Sequence, residues 1–370
     1  MVKLIKRCKY WIWLSLLQGC IPISPGTSTN FPDTPVTHED VFTLLFIGDS
    51  EPRMRDNTDD ELKYYVSKLI ELKTTKAIYF DLEGGNKYRI SPEIILLGGD
   101  ISADRTTSIA NDSAIWYPLY ENNILFVAGF GNHDWDPKVW SDGSLGYSVA
   151  GNQSNENTKA FCTWTYKKSA ALSSDFKYKA IDHVVTQSGV TTGGPRNFYA
   201  TYKGVSIVNF NTFLYQPSYY YPAGWPVSCN LATGGAGCEK FVSAATQILR
   251  MESVLPNDTG RVVLFFEHYP FATSLDWWDD YGASNTSVQQ RQDTLMNMIT
   301  RYKKTAFFAG HNHAAATNDY TYNGKSFTEY IAPYFGGWNG DDRTQGGGFL
   351  AVLVSSTRGV LEVKRIDPPL

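Results

Sequence analysis

Short apolar runs recur along the chain, and segments with helical spacing of apolar residues separate some of them. The runs lie at 41–47, 93–97, 123–128, 205–210, 261–266, 305–309, 348–354 and 359–365. Continuous apolar runs of this length are typical of strands that are covered on both faces of a sheet. The helical segments lie at 59–73, 241–255 and 286–303. This alternation of strands and helices predicts an α/β fold.

The middle of the chain, residues 135–204, has a different character. It is rich in Asn, Ser, Thr, Gly and Tyr, and its apolar residues follow only a weak period. We therefore predict long loops and short elements there, beside the functional site.

The first 20 residues have the features of an export signal. Basic residues precede an apolar run at 10–17, which is too short to span a bilayer as a helix, since that takes about 20 residues. The run ends in the sequence LQGC at 17–20, which resembles a bacterial lipobox and implies lipidation of Cys20. The expected location is the cell envelope or outer surface, through a lipid anchor in a membrane. Simple secretion and an uncleaved segment are the alternatives.

The segment that follows the signal has the composition of a tether. Residues 21–39 are rich in Pro, Ser and Thr, which predicts a flexible linker. The folded domain is therefore expected to span residues 40–370.

Charge and cysteine content narrow the class of protein. The 370 residues carry a formal net charge of −4 and no basic cluster in the body of the chain, which argues against a general nucleic-acid binder. In an oxidising compartment we expect a disulfide between Cys229 and Cys238, because they flank a short glycine-rich loop. Cys162 would be left over, and we expect it to be a buried apolar thiol.

Polar residues that could bind metals follow directly after several predicted strands. They are Asp49, Asp100, Asn132, His133, Asp134, His268, His311 and His313. Because ligands in α/β sheets gather at the carboxyl ends of strands, we expect these side chains to converge. Imidazole and carboxylate groups together suit zinc, manganese and iron, and a bridging carboxylate can hold two ions.

The motifs that contain these residues follow one another in the order GDSE, GGD, GNHD, FEHYP and GHNH. This order resembles that of the calcineurin-like metallophosphoesterase superfamily, which includes the purple acid phosphatases. The resemblance covers residues 41–313 and implies a four-layer α/β/β/α sandwich of two mixed sheets. It also implies a site for two metal ions at the C-terminal ends of the strands.

The resemblance implies a role for each motif residue. One ion would be bound by Asp49, Asp100 and His313, and the other by Asp100, Asn132, His268 and His311. A hydroxide that bridges two ions of iron, manganese or zinc would attack the phosphorus atom. His133 would stabilise the phosphate or protonate the leaving oxygen, and Asp134 would orient the His133 ring.

Glu51 is the main departure from the family pattern. Many members have His at this position, and the purple acid phosphatases have Gly. Side chains two residues apart in an extended segment point the same way, so we expect Glu51 to reach the ion held by Asp49, directly or through water. The alternative is that Glu51 points to solvent. Ala103 stands where the purple enzymes need Tyr, so their colour is not expected.

Three further residues are candidates for substrate binding, namely Arg53, Trp277 and Trp278. Arg53 could hold a substrate phosphate, or it could be a surface arginine. The two tryptophans follow the His268 motif, and they could either line a substrate pocket or pack against the core.

The expected function is that of an exported, dimetal-dependent hydrolase of phosphate esters, with monoesters slightly favoured over diesters. A nucleic acid is expected only as a possible substrate. The alternative is a non-catalytic, metal-stabilised surface lipoprotein with an adhesion or binding role, in which Glu51 marks a degraded site. We favour the enzyme because the ligands for the second ion and His133 are all intact.

The lipid anchor can be tested with Cys20→Ala. In a bacterial host, this change should release the protein from the membrane fraction or leave it unprocessed, because lipidation needs the thiol. Cell fractionation and the mass of the mature N-terminus are the measurements, and Cys8→Ala, also in the leader, is the matched control. Unchanged fractionation together with normal processing of Cys20→Ala would contradict the anchor.

Overall fold

Two mixed β-sheets form the centre of the fold in the computed structural model of the chain. The structure describes residues 39–50, 59–101, 109–131, 138–139, 145–146, 149–180, 185–186, 197–209, 239–240, 251–271, 293–335 and 348–367. All of them belong to one compact unit, Thr34–Leu370. The expected signal peptide and nearly all of the expected linker lie outside the described residues.

The described strands and helices are as follows. The strands are β1 (Val41–Ile47), β2 (Tyr79–Asp81), β3 (Lys87–Arg89), β4 (Pro92–Leu97), β5 (Leu125–Ala128), β6 (Lys138–Val139), β7 (Leu145–Gly146), β8 (Lys177–Ala180), β9 (Val185–Thr186), β10 (Phe198–Tyr202), β11 (Val205–Asn209), β12 (Glu239–Lys240), β13 (Val262–Phe266), β14 (Lys304–Ala309), β15 (Ala316–Tyr322), β16 (Lys325–Ile331), β17 (Phe349–Ser355) and β18 (Gly359–Ile366). The helices are α1 (Asp59–Thr74), α2 (Ile109–Glu121) and α3 (Val149–Leu172), with a short 3₁₀ helix at Glu83–Gly85. Within the described part of the chain, no helix is both long and apolar enough to cross a membrane.

The first sheet has the strand order β18-β17-β1-β4-β5. β1, β4 and β5 run parallel, so their carboxyl ends lie at one edge. β17 and β18 are antiparallel to their neighbours. β1, β4, β5 and β17 are almost entirely apolar and buried, as expected for strands covered on both faces, whereas the edge strand β18 is mostly half-buried.

The second sheet has the strand order β15-β16-β14-β13-β11-β10-β8. Its four central strands, β11, β13, β14 and β16, are parallel. The outer strands β15, β10 and β8 pair antiparallel. The carboxyl ends of β13 and β14 therefore lie at one edge of this sheet, as those of β1 and β4 do in the first.

Side chains from the two sheets meet in a common core. The Phe46 ring on β1 lies 6.2 Å from that of Phe266 on β13 and 5.5 Å from that of Phe308 on β14. Glu93 on β4 also joins the sheets, because it accepts a hydrogen bond from Tyr202 Oη (3.0 Å) and pairs with Lys203 Nζ (2.7 Å). The sheets are thus connected both by apolar packing and by this polar contact.

The predicted α/β class is confirmed, and so are the predicted strands. The eight apolar runs are strands whose ends differ from the prediction by at most two residues. The helix predicted at 59–73 is α1, which buries Leu62, Leu69 and Leu72. Of the described residues of the other two predicted helices, 251–252 and 293–299 are helical, whereas 253–255 and 300–303 form turns and bends.

The prediction of loops and short elements for residues 135–204 was wrong for the 24 residues of α3, whereas the strands described in the rest of this range, β6 to β10, are short. The polar composition obscured the helix. Part of its buried face carries hydroxyl groups instead of apolar side chains, as Thr165 and Ser169 are both fully buried. A hydrophobic pattern of period 3.6 is therefore weak in this segment.

The buried hydroxyl groups of α3 form hydrogen bonds with the backbone of β5. Thr165 Oγ1 accepts from the N–H of Ala128 (3.3 Å). Ser169 Oγ accepts from the N–H of Phe126 (3.2 Å) and donates to its carbonyl (2.9 Å). Tyr166 Oη donates to the carbonyl of Ala128 (2.6 Å). Each buried hydroxyl is thus satisfied by a strand group that also needs a partner.

Ser169→Ala should lower the free energy of unfolding by about 1–3 kcal/mol, because it leaves the buried Phe126 N–H without an acceptor. Lys167→Ala, at an exposed position of the same helix, is the control and should change stability by less than about 0.5 kcal/mol. Chemical denaturation of each purified protein is the measurement. Equal stability of wild type and Ser169→Ala would contradict the role of the hydroxyl.

Candidate metal centre

The carboxylates of the candidate centre come from the first sheet. Asp49, two residues after β1, is fully buried, and Asp100, three residues after β4, is 1% exposed. The two strand ends are tied together by their backbone. Gly98 N–H donates to the carbonyl of Ile47 (2.8 Å), and Ser50 N–H donates to that of Asp100 (3.3 Å).

The histidines of the candidate centre come from the second sheet. His268 follows β13, and His311 and His313 follow β14. The N–H of Gly310 donates to the His268 carbonyl (2.9 Å), which ties the two segments together. His268 is buried, whereas the side chain of His313 is 31% exposed. Solvent therefore reaches the centre at His313.

Asp49 connects the two sheets at this edge. Its Oδ2 accepts the backbone N–H of His311 (2.7 Å), and its carbonyl accepts that of Phe335 (2.8 Å). Its other carboxylate oxygen, Oδ1, is buried and has no hydrogen-bond partner within the described part of the chain. The Nε2 of His313 lies 3.5 Å from this oxygen.

Asp49, Asp100 and His268 are close enough to bind one ion. One ligand atom from each of them lies within 4.8 Å of the others, and all three residues are buried. His268 Nε2 lies 3.1 Å from Asp100 Oδ2 and 3.9 Å from Asp49 Oδ1. It also lies 3.2 Å from His311 Nδ1. Buried carboxylates and imidazoles around one point are a suitable ligand set for a metal ion.

The backbone at the centre has unusual conformations. Asp100, His311 and His313 have φ of 51°, 66° and 55°, which is the left-handed region. Residues other than glycine adopt it at a cost of order 1–3 kcal/mol, and functional sites are where such residues concentrate. These conformations turn the chain sharply after β4 and β14 and bring the side chains into the centre.

Two positions at the centre must be glycine, because neighbouring atoms lie too close to leave room for a Cβ. A Cβ on Gly310 would lie 2.8 Å from Asp49 Oδ2 and 2.8 Å from the Cα of Gly48. A Cβ on Gly131 would lie even closer to the backbone N of Asp100, at 2.2 Å. A Cβ on Gly131 would also overlap Asp100 Oδ1. All of these contacts are shorter than real Cβ atoms make, so any other residue at either position would displace a carboxylate of the centre.

The electrostatic surroundings of Asp49 favour its charged form. Burial alone would raise its pKa, but the charges of His268 and His313, the polar contact with the His313 side chain and the hydrogen bond from the His311 N–H outweigh burial and hold the pKa below its ordinary value. Asp49 is therefore an anion within the protein, as a metal ligand must be.

The structure brings together five of the residues predicted from sequence: Asp49, Asp100, His268, His311 and His313. The other predicted site residues lie outside the described residues, namely Cys20, Glu51, Arg53, Asn132, His133, Asp134, Cys229, Cys238, Trp277 and Trp278. The prediction for Cys162 is confirmed, because it is a buried thiol that donates to the carbonyl of Gly129 (3.7 Å).

Sequence reasoning missed the aromatic residues that surround the histidines. The Tyr269 ring lies 4.4 Å from the ring of His311 and 5.2 Å from that of His268. The Tyr334 ring lies 5.1 Å from that of His313. The position of Tyr269 directly after His268 was a signal for the first, whereas no sequence signal links Tyr334 to His313.

Comparison with known proteins does not assign the chain to a family. No protein-family model matches the chain, and no curated protein matches it either. Among solved structures, it is similar to phosphopantetheinyl hydrolase from Mycobacterium tuberculosis, with 14% identity and a TM-score of 0.33. That match covers 79% of this chain and 89% of the other. A similarity of this size transfers no property of that enzyme to this chain.

Gly310→Ala should weaken metal binding at least about tenfold, because the added Cβ would displace the Asp49 carboxylate. Titration of metal-depleted protein with Mn²⁺ or Zn²⁺ is the measurement. Gly324→Ala is the matched control. Gly324 has φ of +73° but no atom near its missing Cβ, so this change should cost stability without weakening binding. Wild-type metal affinity in Gly310→Ala would contradict the role of the close approach.

Proposed function

We propose that the protein is a metal-dependent hydrolase of phosphate esters, with monoesters slightly favoured over diesters. The observation that carries the proposal is the buried group of Asp49, Asp100 and His268 at the edge where strand ends of both sheets meet. Two carboxylates buried beside an imidazole need a cation, and a metal ion with an exposed side is a common catalyst of ester hydrolysis.

The separations between ligand atoms support two ions. Neighbouring ligands of one ion with bonds of about 2.1 Å lie about 3.0–3.4 Å apart. His268 Nε2 is at such distances from Asp100 Oδ2 (3.1 Å) and from His311 Nδ1 (3.2 Å). His313 Nε2 and Asp49 Oδ1, at 3.5 Å, form a second pair. The proposal keeps the ligand sets that the motif resemblance implies, in which Asp100, His268 and His311, with Asn132, would hold one ion, and Asp49, Asp100 and His313 would hold the other.

Bound ions at these positions would supply positive charge for the phosphate oxygens and lower the pKa of a water molecule. The chain itself would bind the ions, exclude bulk water from the His268 side and leave the His313 side accessible to the ester. As part of the proposal, His133 stabilises the phosphate or protonates the leaving oxygen, and Asp134 orients it. Glu51 adds a carboxylate to the ion held by Asp49.

The proposal includes the family and the location that the sequence motifs imply. We infer membership of the calcineurin-like metallophosphoesterases, with the two sheets packed as the inner layers of an α/β/β/α sandwich. The contacts of Phe46 with Phe266 and Phe308 support packing of the two sheets. We also infer export and anchoring through Cys20, which the Cys20→Ala experiment tests.

Hydrolysis of phosphate esters should depend on a bound metal. Protein depleted with a chelator should lose at least about 90% of its turnover of p-nitrophenyl phosphate, because removing the ions removes their stabilisation of the developing charge. Adding back Mn²⁺, Zn²⁺ or iron should restore turnover. Bis(p-nitrophenyl) phosphate, assayed in parallel, distinguishes monoesters from diesters.

Asp49→Asn should abolish both metal binding and turnover in the same assay, because it removes one buried anion without changing the size of the side chain. Asp319→Asn is the matched control. Asp319 lies on β15 and forms a hydrogen bond with Thr328 at an exposed position, so this variant should behave like wild type. Full turnover in chelator would contradict the proposal, and metal binding without turnover of either ester would favour a non-catalytic surface protein.

A further inference from the structure

Glu329 is a buried carboxylate that the proposed chemistry does not use. It lies on β16, beside Phe307 of β14 and Asn318 of β15, and it is fully buried. Burial of a carboxylate is costly unless hydrogen bonds satisfy its oxygens. The reason for a carboxylate at this position therefore lies in the donors that its oxygens satisfy.

The two oxygens of Glu329 have different partners. Oε2 accepts hydrogen bonds from Asn318 Nδ2 (2.9 Å) and Tyr320 Oη (3.2 Å), which both belong to β15. Oε1 accepts the backbone N–H of Phe271 (2.5 Å), which lies in the segment after β13. One oxygen is thus satisfied within the sheet, and the other holds a segment that comes from the metal centre.

Phe271 is held by its ring as well as by its N–H. The ring lies 5.0–5.7 Å from those of Phe307, Tyr320 and Phe327, which surround Glu329 on the sheet. Phe271 is three residues after His268, and the His268 carbonyl accepts the N–H of Gly310 (2.9 Å). The segment 268–271 is therefore attached to the second sheet at both ends, with Glu329 at the end away from the centre.

We propose that Glu329 is a positioning residue for His268: by holding the N–H of Phe271 it fixes the turn that directs the His268 imidazole at Asp100. This inference rests on the proposed metal centre. The role requires an acceptor atom at the reach of a glutamate, and it does not require the negative charge. Length and charge can therefore be separated by substitution.

Titration of metal-depleted, full-length protein with Mn²⁺ or Zn²⁺ tests the inference without any substrate. Glu329→Asp keeps the charge, but its shorter side chain withdraws the acceptor from the N–H of Phe271. It should weaken metal binding about tenfold, as loss of the residues that orient a ligand does at metal sites. Glu329→Gln keeps the reach and an amide oxygen for the N–H of Phe271. It should bind metal within about twofold of wild type, with the Asn318 amide turned to match.

Tyr320→Phe is the control for a merely structural effect. It removes one donor to Glu329 and leaves the contact with Phe271, so it should lower the stability of the metal-free protein while metal affinity stays within about twofold. Wild-type affinity in Glu329→Asp, or weaker binding by Glu329→Gln than by Glu329→Asp, would overturn the inference. A wild type that binds no metal would overturn the metal centre and the inference together, whereas binding without ester hydrolysis would overturn only the proposed activity.

Discussion

The repulsion between two buried carboxylates is the constraint on which this arrangement depends. Asp49 and Asp100 lie in the interior at the ends of neighbouring strands, and bringing two anions so close is unfavourable unless positive charge lies beside them. The first sheet supplies both anions, and the second supplies the imidazoles. Neither sheet carries the complete set of side chains, so the centre forms only when the two sheets are packed together.

The backbone that positions these side chains adopts conformations that are unfavourable in free energy. Left-handed conformations at Asp100, His311 and His313 work against folding, and the space at Gly131 and Gly310 admits no residue larger than glycine. Burial of the apolar strands of both sheets offsets the cost of these conformations. A bound cation would add stabilisation that grows with the logarithm of its concentration relative to its dissociation constant, because only the folded chain assembles the ligands.

The sequence allowed prediction of the strands and the α/β class, and it singled out five polar residues that the structure brings together, whose role as metal ligands stays a prediction. The strands were predicted correctly because continuous apolar runs indicate burial on both faces of a sheet. The five polar residues come together because residues that follow parallel strands lie at the same edge of a sheet. It did not allow prediction of α3, whose buried Thr165 and Ser169 look like loop residues until their partners on β5 are known. It did not reveal Glu329 either, because the acceptor it offers to Phe271 depends on packing between segments about 60 residues apart. Contacts of that kind leave no periodic signal.

The hydroxyl groups of α3 have a consequence for how the first sheet ends. β5 is the last strand of that sheet, and the outer edge of a sheet normally exposes N–H and C=O groups that can pair with a strand from another molecule. Here the groups of Phe126 and Ala128 that a further strand would need are bonded to Thr165, Tyr166 and Ser169. The helix thus takes the place of a sixth strand along these residues, and the outward-facing groups of Phe126 and Ala128 already have partners within the described part of the chain.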